Sequence, residues 1–317
     1  MEQQGEHSAL EVLVSQEESG QKLLQFLVRR FDTPQSVLHR WVRTGQVRRN
    51  GKRTQPFARL NTGDAVRLPP FAFQDTREED LFHEETGLPR PDILLQTGAL
   101  FVCVKPAGLP THAGTGHTDS LVARLREHCA EGSRFAPTPA HRLDKSTSGL
   151  VLVARTYEAL RLLHDAMVSR DALVKTYLAW AAGRCPWREP TLLEDGIIKT
   201  ALPDGRERME LVPLDQAGKK ASLTAECLDE RFGASLLRIT LHTGRTHQIR
   251  AQLAGRGVPL VGDVKYGGPP CEQGLMLHAS QLTFSKRLAW QLGLPDAGLY
   301  CPPPWLEPWD IWEQAQP

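Results

Sequence analysis

His141-Arg142-Leu143-Asp144-Lys145-Ser146-Thr147-Ser148-Gly149-Leu150-Val151-Leu152-Val153-Ala154 changes character halfway along. It opens charged and polar, passes a Ser/Thr/Gly cluster ending at Gly149, and runs apolar from Leu150 to Ala154. A short apolar run after such a cluster predicts a buried strand fed by a turn. Asp144 then lies in the loop before a rigid strand, where a scaffold can hold a reactive side chain still. Taken alone, Asp144 would be a turn cap and Arg142 a surface cation. That plain reading leaves the ordered string around them unexplained.

On either side of this stretch the pattern is strand-heavy, with helices interspersed. Leu100 to Val104 is a predicted strand that turns at Lys105-Pro106-Ala107-Gly108, and Leu121 to His128 a helix. Thr156 is a predicted cap for a helix in which Leu160, Leu163 and Met167 share a face. Lys175 to Ala182 reads as a strand carrying Tyr177, residues 193–228 as strands and turns, and Leu236 to Leu241 as a strand ending at Thr243-Gly244. Arg245 to Leu253 reads as a helix ended by Gly255 and Gly257. This order predicts an α+β domain on a largely antiparallel sheet, from about residue 91 to 317. His112 and His117 fall in a glycine-containing loop with no third ligand spaced nearby, so no metal site is expected.

The preceding part is organised differently. Residues 1–9 read as a disordered tail and 10–68 as a small α/β unit. Leu23, Leu24, Leu27 and Phe31 recur at helical spacing, with Arg29 and Arg30 on the polar side. Thr33-Pro34 predicts a cap with proline at the first helical position, and Val37, Leu38, Trp41 and Val42 form the apolar face of the helix that follows. Asn50-Gly51 in Val47-Arg48-Arg49-Asn50-Gly51-Lys52-Arg53 predicts a tight hairpin. Residues 69–90, acidic and bounded by prolines, read as a linker.

The 317-residue chain carries a net charge of only +1, but the charge is unevenly placed. From Gln21 to Arg67, eleven Lys and Arg face two Asp, a surplus of nine, whereas residues 1–20 hold five Glu and no Lys or Arg. That asymmetry points to a polyanionic partner. Arg40, Arg43, Arg48, Arg49, Lys52 and Arg53 are the candidate contacts, guanidinium-rich and suited to phosphate forks. Hydrophobic residues at 40% and charged residues at 24% are those of a globular protein. No apolar run approaches the roughly 18 residues of a membrane span, and the N-terminus has no secretion-signal pattern. A cytoplasmic protein with no membrane association is expected. The six cysteines are scattered, which fits neither a disulfide scaffold nor a metal cluster.

The central stretch resembles the signature of the RluA-type pseudouridine synthases: His-Arg-Leu-Asp, two residues, Thr-Ser-Gly and an aliphatic strand. Lys105-Pro106-Ala107-Gly108-Leu109, Lys175-Thr176-Tyr177 and Thr243-Gly244-Arg245-Thr246-His247-Gln248-Ile249-Arg250 fall in that family's order, and the resemblance spans about residues 91–285. Helix, helix, basic hairpin and Gly-Asp-strand over residues 18–68 resemble the small RNA-binding module named after ribosomal small-subunit protein four. The chain departs from the family at Arg250-Ala251-Gln252, where Arg-x-His is usual, at Phe284-Ser285-Lys286, where Phe-x-His-Pro is common, and in its Pro302-Pro303-Pro304-Trp305 tail.

The resemblance implies a mixed, largely antiparallel sheet flanked by helices, with a cleft across its middle. It implies isomerisation of uridine to pseudouridine in structured RNA, ribosomal large-subunit RNA ahead of transfer RNA. Breaking the bond from ribose to base nitrogen and rejoining through carbon 5 involves no net redox change, so no cofactor and no metal are expected. A carboxylate beside the anomeric carbon is required, as in retaining glycosidases. The resemblance makes Asp144 that carboxylate, sets Arg250 against it, and gives Tyr177 a stacking face, with possible help at the carbon-5 proton left open. His141 and Arg142 would serve RNA contact and base eversion, and Leu143 and Leu277 the pocket wall; Arg245, a cation at a predicted helix start where the helix dipole offers it nothing, is a candidate phosphate contact. A monomer is expected. A noncatalytic RNA-binding or ribosome-assembly protein on the same scaffold, a transfer-RNA synthase and a base-releasing glycosylase are the alternatives.

Overall fold

The computed structural model describes residues 11–31, 33–69, 72, 87–113, 119–129, 135–169, 171–201 and 207–305. The expected tail at 1–9, His117 and most of the expected linker lie outside these residues.

The first unit is a four-stranded sheet of β1 (Glu11–Leu13), β2 (Arg48–Arg49), β3 (Lys52–Arg53) and β4 (Ala65–Arg67), in the order β1-β4-β2-β3. Two helices, α1 (Leu23–Arg30) and α2 (Gln35–Arg43), cover it. Leu23, Leu27, Leu38, Val47, Leu60 and Val66 fill a core of its own. The Asn50-Gly51 turn between β2 and β3 takes positive φ at both residues (50° and 73°), the conformation that matches hairpin twist. α2 begins one residue later than the Thr33 cap predicts, with Pro34 in extended conformation at the N-cap.

The second unit follows the predicted α+β pattern. Its strands are β5 (Ile93–Gln96), β6 (Leu100–Lys105), β7 (Thr138–Pro139), β8 (Ser148–Ala154), β9 (Leu173–Ala182), β10 (Thr191–Ala201), β11 (Glu207–Val212), β12 (Lys219–Arg231), β13 (Ala234–Leu241), β14 (Leu277–Phe284) and β15 (Gly298–Tyr300). They form one sheet in the order β11-β10-β12-β13-β9-β14-β8-β6-β5, with β15 on β14 and β7 on β8. β8 and β14 pair in parallel, and the other pairings are antiparallel.

β8 is buried along its whole length and apolar from Leu150 onward because both faces of the sheet are covered there. Val151 and Val153 pack with α3 (Leu121–Cys129) and α5 (Gln248–Ala254) on one face. Leu150, Leu152 and Ala154 pack with α4 (Tyr157–Ser169) and α6 (Lys286–Gln291) on the other. The cap on α4 is as read: Thr156 Oγ1 accepts from Ala159 N–H at 3.1 Å. Gly149 stands at φ +113° opposite Ala279 of β14, and a Cβ there would run into the Ala279 backbone. The Ser/Thr/Gly cluster thus ends in glycine because β14 pairs too closely for any side chain.

The two units touch at the N-terminus of α4. Tyr157 N–H donates to Glu17 O at 2.8 Å. Arg29 lies over the rings of Phe135 and Tyr157 at 5.2 and 5.6 Å and donates to Gln21 Oε1 at 2.7 Å. Arg29 therefore joins the two units instead of standing on the free polar side of α1. Arg30 is likewise engaged, in an ion pair with Glu18 at 2.7 Å.

Candidate active site

A cleft of about 680 Å³ crosses the middle of the large sheet, where β8, β14 and β9 lie side by side. Its wall includes His141, Arg142, Leu143, Asp144, Tyr177, Arg245, Arg250 and Leu277. Residues from four separate sequence segments thus share one hollow of the size that usually holds a ligand.

The loop bearing Asp144 is strapped from two sides. Leu143 is buried in the core, its N–H donating to Thr111 Oγ1 (3.1 Å) and its carbonyl accepting from the same hydroxyl (3.0 Å). Thr147 N–H donates to Asp144 O at 3.1 Å and closes the turn. Lys105, fully buried at the end of β6, donates from Nζ to Pro106 O, Leu109 O and Lys145 O at 2.8, 2.7 and 3.3 Å. Burial lowers its pKa to about 8, against the pull of the Asp144 charge. Gly108 N–H also donates to Lys145 O, at 2.8 Å. The loops after β6 and before β8 therefore form one braced platform.

On that platform one oxygen of Asp144 is held and the other is open. Oδ2 lies 3.5 Å from Arg250 Nη1 and 3.7 Å from His247 Nε2. Among the described residues Oδ1 has no hydrogen-bond partner. Arg250 is itself clamped: Nε and Nη2 donate to Asp263 Oδ2 and Oδ1 at 2.8 and 2.7 Å, a bidentate fork. Its guanidinium also lies 5.0 Å from the Tyr266 ring centre. Burial opposes its charge, but the Asp263 bonds and the charges of Asp263 and Asp144 outweigh burial and raise its pKa.

Tyr177 is buried on β9, between Ile239 of β13 and Ala279 of β14. Burial first, then the negative charge of Asp144, raises its pKa well above the ordinary tyrosine value. The hydroxyl stays protonated at neutral pH, which suits a stacking face that also donates a hydrogen bond. Leu277, at the start of β14, is buried against the same hollow.

Three of the candidate contact residues have protein partners that the sequence did not announce. His141 lines the cleft, but its Nε2 accepts from Leu152 N–H at 3.1 Å, continuing the β7–β8 ladder. Burial, helped by nearby Lys175, lowers its pKa to about 3, so it is neutral and offers RNA no charge. Arg245 is not a helical residue. α5 begins at Gln248 after His247 in left-handed conformation (φ 50°), and Gln248 Oε1 accepts from Arg245 N–H and Thr243 Oγ1. Arg245 remains exposed, with Nε on Lys220 O at 2.9 Å. Arg49 pairs with Asp64 at 2.7 Å and donates to Arg59 O at 2.9 Å, so it braces the hairpin. Arg40, Arg43, Arg48, Lys52 and Arg53 are exposed as read.

A family model described as RNA pseudouridylate synthase matches residues 99–255. The Ribosomal large subunit pseudouridine synthase C of Haemophilus influenzae is 31% identical over 284 residues, 86% of this chain and 85% of that protein. The protein of the same name from Escherichia coli is 32% identical over 289 residues, 86% of this chain and 88% of that one. The chain belongs to the RNA pseudouridine synthase family. Among solved structures, Human RNA Pseudouridylate Synthase Domain Containing 1 shares the fold at a TM-score of 0.54 and 21% identity, over 70% of this chain and 87% of that chain. Human RNA Pseudouridylate Synthase Domain Containing 4 does so at 0.51 and 22%, over 70% and 92%.

The cleft of this pseudouridine synthase is braced by two further residues, Asp263 and Tyr266, that carry no obvious motif. Asp263 is buried, and Tyr266 receives Met209 N–H at 3.0 Å while its hydroxyl meets His247 Nδ1 at 2.9 Å. Burial lowers the His247 pKa, against the pull of Asp144. The available signal was Gly262-Asp263-Val264-Lys265-Tyr266-Gly267-Gly268, a charged residue enclosed by glycines straight after an apolar run. Among the described residues no three His, Cys, Asp or Glu side chains are grouped to hold a metal ion, and no helix is long and apolar enough to cross a membrane.

Proposed function

We propose that this synthase isomerises specific uridines in large-subunit ribosomal RNA, with Asp144 as the carboxylate that acts at the ribose. The observation that carries the reading is the asymmetric state of Asp144: Oδ2 faces Arg250 and His247, while Oδ1 opens into a cleft walled by Tyr177 and Leu277. In the reaction the C1′–N1 bond breaks, the uracil turns, and a C1′–C5 bond forms. The C5 proton is lost and N1 ends protonated, so atoms and charge balance with no co-reactant. Arg250 holds a fixed positive charge 3.5 Å from the Asp144 carboxylate while the bound base displaces water from the cleft. Tyr177 stacks on the uracil and Leu277 packs against its edge.

The target uridine must leave its stack, at a cost of a few kcal/mol. Arg142, exposed two residues from Asp144, fills the vacated space. The first unit acts as an RNA-binding module like that of ribosomal small-subunit protein four. Its exposed Arg40, Arg43, Arg48, Lys52 and Arg53 contact phosphates and supply affinity, not sequence choice. Ribosomal RNA is favoured over transfer RNA by the names of the relatives that match most of the chain. The protein works as a cytoplasmic monomer.

The test is tritium release from RNA labelled at uridine carbon 5, with large-subunit ribosomal RNA and transfer RNA as parallel substrates. Wild type releases tritium from the ribosomal substrate and Asp144→Asn does not. Equal release by both proteins would end the role given to Asp144, and release from transfer RNA alone would reassign the substrate.

A further inference from the structure

Lys175 stands two residues before Tyr177 on β9, and alternate strand positions share a face, so both side chains reach the cleft. Its Nζ lies 3.9 Å from where a Cβ on Gly244 would sit, which places the ammonium against the 243–247 loop on the cleft wall. Among the described residues this ammonium makes no hydrogen bond and no ion pair. Two carboxylates line the cleft: Asp144 is engaged by Arg250 and His247, and Asp171 makes no ion pair with Lys175. Its neighbour His141 is neutral and its own ring nitrogen is taken by Leu152. Burial alone lowers the Lys175 pKa. A desolvated cation with no partner is unfavourable, and the chain tolerates it where a ligand brings the anion.

The chemistry of the anion follows from position. Uracil is neutral and offers an ammonium only carbonyl oxygens, whereas RNA brings a full negative charge at each phosphodiester. Asp144 and Lys175 both line the cleft, and Lys175 lies on the side of the 243–247 loop, against Gly244. A nucleotide seated with C1′ at Asp144 brings its flanking phosphates into the same hollow, where the Lys175 ammonium waits on the wall. We propose that Lys175 binds the phosphodiester flanking the everted uridine, inside the cleft and separately from the basic face of the first unit. This rests on the reading of the cleft as the uridine site.

The test uses the full chain and a short single-stranded or loop RNA containing the target uridine. Lys175→Gln should weaken binding about tenfold, the worth of one charge-assisted contact. It should also flatten the plot of log affinity against log salt by about 0.7, as for one single-strand phosphate. Lys175→Arg should restore most of both, and the turnover rate on saturating RNA should change less than about threefold. A neutral methylphosphonate at the flanking position should weaken wild type as much as the substitution does, and should leave Lys175→Gln unaffected. Unchanged affinity and salt slope in Lys175→Gln, with an unaltered melting curve, would overturn the proposal. So would a loss of turnover at unchanged affinity, which would place Lys175 in the chemistry. Lys175-dependent binding by a wild type that released no tritium would instead count against the isomerase reading and leave this contact standing.

Discussion

Arg250 and Asp144 stand 106 residues apart in the chain, yet Nη1 of one lies 3.5 Å from Oδ2 of the other. At that distance the contact is an ion pair at the edge of hydrogen-bond geometry. The shorter bonds of Arg250 go to Asp263. Arg250 is thus fixed by one carboxylate and presented to another. Arg250→Lys keeps the charge but cannot make the fork, because an ammonium is a point donor on a flexible stem. Turnover should fall by about a hundredfold or more while RNA affinity changes little. Single-turnover kinetics beside equilibrium binding would check this, and a pure affinity loss would make Arg250 a phosphate contact.

Asp263→Asn tests the clamp itself. Asp263 is buried and contributes both oxygens to Arg250. The amide keeps the shape but removes the charge and one acceptor. Breaking such a pair costs on the order of 3 kcal/mol of stability. Arg250, released, would also close on Asp144 and make it a weaker nucleophile. Turnover should drop at least about tenfold with affinity preserved, and denaturant unfolding should show the stability loss. A variant with full turnover would confine Asp263 to a structural role.

The parts of this site that were legible in the sequence are those in which local pattern and chemistry coincide. The polar-to-apolar step at Gly149 predicts β8, and the loop before it predicts where Asp144 sits. Tyr177 and Arg250, which both line the cleft, each lie in a short distinctive string. Asp263 was missed because its significance is its partner, thirteen residues away in the chain and across a turn. Arg29 shows the reverse error. A basic residue on the polar side of an amphipathic helix looks solvated until a second unit, carrying Phe135 and Tyr157, packs against it. The start of α5 was placed three residues early because a left-handed His247 has no compositional mark.

The basic face of the first unit makes a separate prediction. Arg40, Arg43 and Lys52 are exposed, and none takes part in an ion pair among the described residues. Changing all three to Gln should reduce the salt slope of RNA binding by about 2 to 3, at roughly 0.7 to 0.9 per lost phosphate contact. Turnover on saturating RNA should stay near wild type. Filter binding across a salt series would show it, and an unaltered slope would leave the charge surplus as a solvated surface.

His278 carries the last prediction, which concerns stability. Its ring is buried, with Nδ1 2.8 Å from Ser148 Oγ and Nε2 3.2 Å from Cys301 O. A carbonyl only accepts, so Nε2 holds the ring proton and Ser148 donates to Nδ1. This arrangement requires the neutral ring, and burial lowers the pKa to about 4. In the unfolded chain the ring would titrate near 6.5. Above that pH neither state is protonated and the contribution is complete. As the pH falls toward 4 the unfolded chain takes up the proton first, so stability declines by about 1.4 kcal/mol per pH unit, roughly 3 kcal/mol over the window. His278→Gln should be less stable than wild type near pH 7 but decline less steeply between pH 6.5 and 4, with His141 contributing to the slope that remains. Urea unfolding at several pH values would resolve the two slopes, and parallel lines would show that His278 is not the titrating group.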